Sequence, residues 1–331
     1  MASRSTNARV SSRSTIGDVA LAAGVSTGTV SRVLNDRAGV HPATREMVLA
    51  TIERLGYRPD AVARTLSFRQ PTRIGLNVGA GSRRLTPFFM LFLESLIGEL
   101  SSDGYLLEEI ANGPDGLPER LADAFVLFGA HDDDIRLSYL SELGVPFVLL
   151  GHAEGVRWVM PDDRDGGHQA TSHLLRLGHE RIVHLSGLMH NQAFLDRHEG
   201  YRAAMRDAGA PLAPELLVDG DFSSLGAYRA VRRALAADIG FSAVFAASDE
   251  MAVGAIAALQ DCGLKVPLDV SVVGFDDLPE IGEALTTVRQ DIPRLATVTV
   301  ALLKEAVAGK QPANAIVPVQ LIARGTTARR R

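Results

Sequence analysis

Ile16, Val19, Ala20 and Ala23 recur at the spacing of one helical face, and Thr15 with Asp18 three residues on forms a capping box ahead of them. Gly24 ends that helix. Val30, Val33 and Leu34 mark the inner stripe of a second short helix inside "GVSTGTVSRVLN" (24–35), with Ser26 as N-cap and Val25 placed to staple onto Val30. A third helix opens at Pro42, a favourable first helical residue, and runs through Val48, Ile52 and Leu55 to Gly56. Helix, tight glycine turn, helix and supporting helix make a helix-turn-helix pattern.

From Arg73 the periodicity changes. Short apolar runs rich in β-formers alternate with helical stretches: "RIGLNV", "YLLEEI", "AFVLFG", "PFVLLG", then "RIVHLS", "ELLVDG", "AVFAAS" and "VSVVGF". Such βαβα alternation predicts parallel sheets with helices on both faces, and its length fits two doubly wound lobes. Between head and body lies "YRPDAVARTLSFRQPTR" (57–73), where Asp60 can cap a short helix "AVARTL". Six residues fall far below the ~12–15 that an isolated helix needs, so this segment needs outside support to fold.

Composition narrows the class. The chain has 331 residues, 46% hydrophobic and 22% charged, as expected for globular domains with real cores. No apolar run approaches the ~18–20 residues of a membrane span. The Ser/Arg-rich start "MASRSTNARVSSRST" lacks the apolar core of a secretory signal, and one cysteine, Cys262, excludes a disulfide framework; both point to the cytoplasm. The net charge of −5 hides a split: residues 1–70 carry ten Arg, no Lys and five acids, a net +5 that leaves −10 on the rest. A basic head on an acidic body suits a head that meets a polyanion.

The second helix gives that polyanion a shape. Its outer face holds Thr27, Gly28, Ser31, Arg32 and Asn35, all small or polar with a single cation. A lean face lets a helix sit deep in the DNA major groove, with hydroxyls for phosphates and Arg32 for a guanine or phosphate. In the linker, Leu66 beside Arg64 and Arg69 suits a wedge into a minor-groove base step, or equally a leucine packed on the body.

The run "TIGDVALAAGVSTGTVSRVLN…VHPATREMVLATIERLGYRPDAVARTL…IGL" resembles the DNA-binding head and hinge of the LacI/GalR (lactose-repressor) family of bacterial transcription regulators. The likeness is dense over residues 15–76. It continues more loosely through "PFF" (87–89), "DGGHQATSHLLRLGHERIVHLSG" (165–187), "RHEGYRAAM" (197–205), "GDF" (220–222), "ASDEMAVGAIAAL" (247–259), "DVSVVGFDD" (269–277) and "VQLIARGTT" (319–327). The resemblance implies a homodimer on pseudo-palindromic operator DNA, with a recognition helix in the major groove and a hinge helix that folds on DNA and inserts Leu66. The DNA-binding set then comprises Thr15, Ser26, Thr27, Gly28, Ser31, Arg32, Asn35, Thr44, Tyr57, Ala63 and Leu66. It also implies an all-α helix-turn-helix head on an α/β periplasmic-binding-protein-like body of two doubly wound parallel-sheet lobes. The expected division is a disordered basic arm 1–14, head 15–58, hinge 59–71, and effector-binding and dimerisation body 72–331. Within the body the N-lobe is 72–161 plus 291–318 and the C-lobe 162–290 plus 319–331.

Ligands of open α/β sheets lie beyond the carboxyl ends of the strands. There the sequence places Phe88 and Phe89, Arg197, Phe222, Ser248 and Asp249, and Asp276. An Arg and an Asp gripping hydroxyls beside aromatic faces suit a carbohydrate or another small polar ring. By resemblance, Phe89, Arg197, Phe222 and Asp276 fall on effector-contact positions of the family, and Ser248 lies next to one.

Other signals point to nothing further. "VGAGSR" after the first strand has Arg84 where a dinucleotide fingerprint needs its third glycine. His168, His173, His179 and His184 are spaced five, six and five apart, off the helical spacing of metal pairs. "HDDD" (131–134) lacks the Gly and distal Glu of a calcium loop. No nucleophile–base pair, cofactor motif or metal set stands out, so neither catalysis nor a cofactor is expected. Three departures from the family pattern stand out: His41 where a Ser often caps the third helix, Gly151 where some relatives carry a polar contact, and the spacing of "YLLEEI" and "AFVLFG". Only 13 residues (111–123) separate those two runs, which predicts a truncated crossover helix. The sequence ends on "LIARGTTARRR" (321–331), so no further oligomerisation helix is expected after it. A nucleoid-associated repressor is the leading expectation; a solute-binding module and a two-lobed α/β enzyme are the rivals, the first lacking an export signal and the second a catalytic pair.

Overall fold

The computed structural model describes residues 15–34, 40–55, 73–79, 86–129, 134–187, 191–281 and 284–330. The chain divides into two compact units, Met1–Arg69 and Gln70–Arg331.

In the first unit α1 spans Ile16–Ala22, α2 Thr27–Leu34 and α3 Pro42–Leu55. The expected capping box is present. Asp18 N–H donates to Thr15 Oγ1 at 3.3 Å, and Thr15 N–H donates to the Asp18 carboxylate at 2.7 Å. Donation to it from Thr15 N–H and from Thr15 Oγ1–H holds the Asp18 carboxyl below its usual range. Val19, Ala20 and Ala23 meet Val30, Val33 and Val48 in a small core, and Val25 packs against it. Asn35, Tyr57, Ala63, Leu66 and the hinge segment lie outside the described residues.

The second unit contains two six-stranded sheets. The first takes β1 (Arg73–Val78), β2 (Leu106–Glu109), β3 (Ala124–Phe128), β4 (Phe147–Leu150), β5 (Trp158–Pro161) and β11 (Asn314–Val317) in the order β11-β5-β4-β3-β1-β2, all parallel. The second takes β6 (Ile182–Ser186), β7 (Leu217–Asp219), β8 (Ala243–Ala246), β9 (Ser271–Asp276), β10 (Thr286–Gln290) and β12 (Val319–Ile322) in the order β12-β10-β9-β8-β6-β7. Here β12 runs antiparallel to β10, so this sheet is parallel with one antiparallel edge. Helices cover both faces of each sheet. On the first sheet α4 (Pro87–Ser102) and α10 (Ile292–Val307) pack one face and α5 (Ile135–Glu142) the other. On the second, α8 (Ser224–Ala236) and α9 (Asp249–Asp261) take one face, α6 (Asp163–Arg176) and α7 (Gln192–Asp207) the other.

Three crossovers join the sheets: Pro161 to Asp163, Gln290 to Ile292, and Val317 to Val319. The first and third are bonded to each other, Asp162 N–H to Val317 O at 2.9 Å.

Segment 111–123 corrects the expectation of a truncated helix: it has no helix. A bridge pairs Asn112 with Pro118, and Gly113 N–H donates to Leu117 O at 2.8 Å. The sheet face above is closed by its own side chains. A Cβ on Gly75 would lie 2.6 Å from the Phe125 ring and 2.9 Å from Ile110, so both fold over the bare strand. At the carboxyl ends of β1 and β3, the buried Arg136 donates from Nη1 to Asn77 Oδ1 at 2.9 Å and from Nε to Asp134 at 2.9 Å. A buried ion pair this well bonded fixes geometry more than it adds stability.

Candidate DNA-contact helix and ligand cluster

Val30 and Val33 bury the inner face of α2 at 0% and 4% exposure, which turns Thr27, Gly28 and Arg32 outward. Ser26 Oγ accepts from Thr29 N–H at 3.1 Å and so caps the helix. Ser31 and Thr44 are half-buried. Gly28 is informative. Glycine in a helix costs about 0.5–1 kcal/mol relative to alanine, and a Cβ there would meet only Ser26 Oγ, at an ordinary 3.6 Å. Nothing among the described residues requires the missing methyl, whereas a surface approached by another molecule would.

In the second unit Arg197, Phe222, Ser248, Asp249 and Asp276 lie at the carboxyl ends of the second sheet. Arg197 on α7 is 6% exposed. Its Nε donates to Asp163 Oδ1 at 2.7 Å, its Nη1 donates to the Ala247 carbonyl and stands 3.7 Å from Asp276 Oδ1, and its guanidinium lies 3.8 Å above the Phe275 ring. Phe194 links Arg197 to Phe222: the guanidinium is 5.6 Å from the Phe194 ring, which meets Phe222 edge to face at 4.5 Å. Asp276 accepts from Gln290 Nε2 at 2.6 Å, and Gln290 Oε1 is buried with no hydrogen-bond partner.

The backbone is strained here. Among the described residues five non-glycines have left-handed backbones, and four of them, Asp221, Phe222, Asp276 and Asp277, follow or end β7 and β9 (φ 50°, 42°, 122° and 60°). Such strain collects where a site over-determines the chain. Asp277 is pinned by Arg289 and Arg324, each at 2.6 Å, which hold its carboxyl low against the rise that partial burial brings.

Burial dominates the electrostatics. It pushes the Asp163 carboxyl up to about 6 against the pull of Arg197. Asp276 rises well above its usual value for the same reason, with Asp249 nearby adding repulsion. One guanidinium among three buried carboxyls suits uncharged hydroxyls better than an anion.

The other candidates are used differently. Ser248 Oγ caps α9, accepting from Met251 N–H at 3.2 Å. Asp249 accepts from Thr287 Oγ1 at 2.5 Å and from Leu278 N–H at 2.9 Å, so both of its oxygens hold neighbouring strands and loops. Phe88 and Phe89 open α4 on the first sheet: Phe89 is 4% exposed and packs edge to face on Phe128 at 4.8 Å, while Phe88 is half-buried. Asp163, Gln290, Phe194 and Phe275 were not singled out by sequence. The acidic "DDRD" run was the one signal for Asp163; an arginine as buried as Arg197 requires an anionic partner.

The four spaced histidines go to four places. His168 meets Asp207 at 3.2 Å, His173 meets Thr327 at 3.0 Å, and His179 meets Ser242 at 2.9 Å. His184 is buried among Phe245, Tyr201 and His198, with Nδ1 on the Phe245 carbonyl at 3.2 Å and Nε2 unpaired. No helix among the described residues is long and apolar enough to cross a membrane.

A helix-turn-helix unit joined to a two-sheet body with a polar cluster at its strand ends defines the class of ligand-responsive DNA-binding regulators. Residues 15–60 match the model for bacterial regulatory proteins of the lacI family, and residues 171–327 match a periplasmic binding protein-like domain. The chain is 35% identical over 333 residues to the HTH-type transcriptional regulator CelR of Thermobifida fusca, covering 94% of this chain and 98% of that one. Its fold matches that of a transcriptional regulator CelR–cellobiose complex (TM-score 0.71, 32% identity, 95% and 100% coverage). It likewise matches a lac repressor dimer bound to operator and the anti-inducer ONPF (TM-score 0.70, 27% identity, 96% and 99% coverage). The chain belongs to the LacI family of bacterial transcriptional regulators, as its head and hinge motifs implied, and is a sequence-specific DNA-binding protein.

Proposed function

We propose that this regulator is a cytoplasmic, nucleoid-associated homodimeric repressor without catalytic activity, whose operator affinity is set by a carbohydrate bound between the N-lobe (72–161 plus 291–318) and C-lobe (162–290 plus 319–331). The observation that carries the reading is the buried Arg197, held between Asp163 and Asp276 and joined through Phe194 to Phe222, at the strand ends where α/β sheets bind ligands. The cluster offers a cation, carboxyls and aromatic faces with little net positive charge, which favours a neutral polyol. The relatives named for cellobiose and an operator point the same way. In each half-site α2 enters the major groove, Tyr57 contacts DNA from the end of the head, and Ala63 and Leu66 contact it from the hinge.

Effector and operator affinities are then linked reciprocally, by about 1–3 kcal/mol in typical cases. Selection of bound fragments from genomic DNA, followed by anisotropy titrations with a panel of mono- and disaccharides, tests this. One pseudo-palindromic sequence is expected, with an affinity that shifts with one saccharide. Arg197→Ala should lose the shift and keep operator affinity. No preference for any duplex over random competitor, or a normal response in Arg197→Ala, would overturn the proposal.

A further inference from the structure

The charged groups of the cluster are tied to the crossovers between the sheets. Asp163 is the first residue of α6, immediately past the Pro161–Asp163 crossover, and it is 2% exposed. Its Oδ1 takes the Arg197 Nε–H at 2.7 Å across 34 residues of sequence. The neighbouring Asp162 donates its backbone N–H to Val317 O at the third crossover, and its carboxylate and carbonyl accept from Asp165 and Gly166. Rotation at this crossover therefore drags Asp163, and with it the guanidinium. The second crossover is wired alike: Gln290, the last residue of β10, donates Nε2–H to Asp276. Both bonds are buried, where a charge-assisted contact is strong and costly to break.

We infer that Asp163 is a positioning residue that orients Arg197 and transmits its engagement to the crossover. The inference rests on Arg197 as an effector contact. Arg197 lies on α7, and among the described residues its side-chain hydrogen bond to the first crossover is the one to Asp163, so the side-chain route to those amides is isolated by comparing the single variants with the double.

Amide hydrogen exchange of the full-length protein, resolved for residues 158–167 and measured without ligand, tests the link. Asp163→Asn keeps the side-chain shape and one acceptor but removes the charge. Arg197→Lys keeps the charge but loses the planar fork. Each is expected to speed exchange at Asp162, Asp165 and Gly166 by about tenfold, the loss of one charged hydrogen bond. The double variant should exchange no faster than the faster single, because both remove one interaction. Should Asp163→Asn fail to fold, the length-compensating pair Asp163→Glu with Arg197→Lys takes its place and should exchange more slowly at these amides than Arg197→Lys alone. Unchanged crossover exchange in Arg197→Lys, additive effects in the double variant, or no recovery in the compensating pair would each overturn the inference. Because no ligand enters this cycle, it is decided separately from the saccharide titrations, whose failure would strike only the carbohydrate reading.

Discussion

Gly200 forms a close backbone junction behind the ligand cluster. It sits on α7, one turn past Arg197, where a Cβ would lie 2.1 Å from Arg164 O and 2.7 Å from His168 N; across the same contact, a Cβ on Gly167 would lie 2.2 Å from Arg197 O. The two helices thus touch backbone to backbone, and neither contact can relax by moving a flexible side chain. For Gly200→Ala to reach the 3.4 Å of an ordinary contact from 2.1 Å, α7 must retreat from α6 by about 1.3 Å. The Arg197–Asp163 bond at 2.7 Å spans those same helices and would stretch beyond hydrogen-bond range. Overpacking of this kind costs about 1–3 kcal/mol, and each kcal/mol lowers the melting midpoint of a unit this size by about 2–4 °C. Gly98→Ala is the control: it lies in α4 with nothing within 4 Å of its Cβ, and should be neutral or stabilising by up to about 1 kcal/mol. The assay pairs thermal melting with hydrogen exchange over residues 158–167. A Gly200→Ala protein that melts within about 1 °C of the parent and keeps its crossover protection would refute the close-approach reasoning.

Three further outcomes are expected. His184 has its folded value pushed down to about 3 by burial and by His198 beside it, so the unfolded chain takes up a proton below pH 6.5 that the folded one refuses. Stability is therefore lost as pH falls through that window, by about 2 kcal/mol at pH 5 from this group alone; His184→Phe should flatten the loss, and parallel denaturation curves for the two proteins between pH 7 and 5 would contradict it. Leu66→Ala should weaken specific operator binding far more than binding to random duplex, while log K for both falls with log salt at about −0.9 per phosphate neutralised; equal losses would remove the wedge. Thr15→Ala should destabilise α1 by about 1 kcal/mol, seen as faster exchange over residues 16–22, and an unchanged rate would mean the capping box contributes nothing.

What could be read from sequence was local. The Thr15–Asp18 box, the α2 stripe of Val30 and Val33, and the β-rich runs each declare themselves within a few residues, and each appears in the fold. What escaped depends on contacts far apart in the chain. The interval 111–123 is too short for the crossover helix of the family pattern, which predicts a truncated helix; its closure instead depends on Phe125 and Ile110 folding over Gly75, 35 or more residues away. The antiparallel edge strand β12 escaped because four residues near the chain end carry no direction of their own. Arg197 and Asp276 could be placed at strand ends, but not Asp163, whose role exists only once α6 and α7 are in contact.

Glycine shows how structure separates positions that sequence leaves alike. Gly200 and Gly28 both lie inside helices and both cost helix stability relative to alanine. At Gly200 the cost is offset within the molecule, since a methyl group would collide with two backbone atoms of α6. At Gly28 a methyl group would collide with none of the described residues, the residue is exposed, and Thr27 and Arg32 face outward with it. On the proposed function, the compensation comes from outside the head. The proposed docking of α2 in a DNA groove, which needs close approach, accepts hydroxyl donors and attracts an arginine, would supply that compensation.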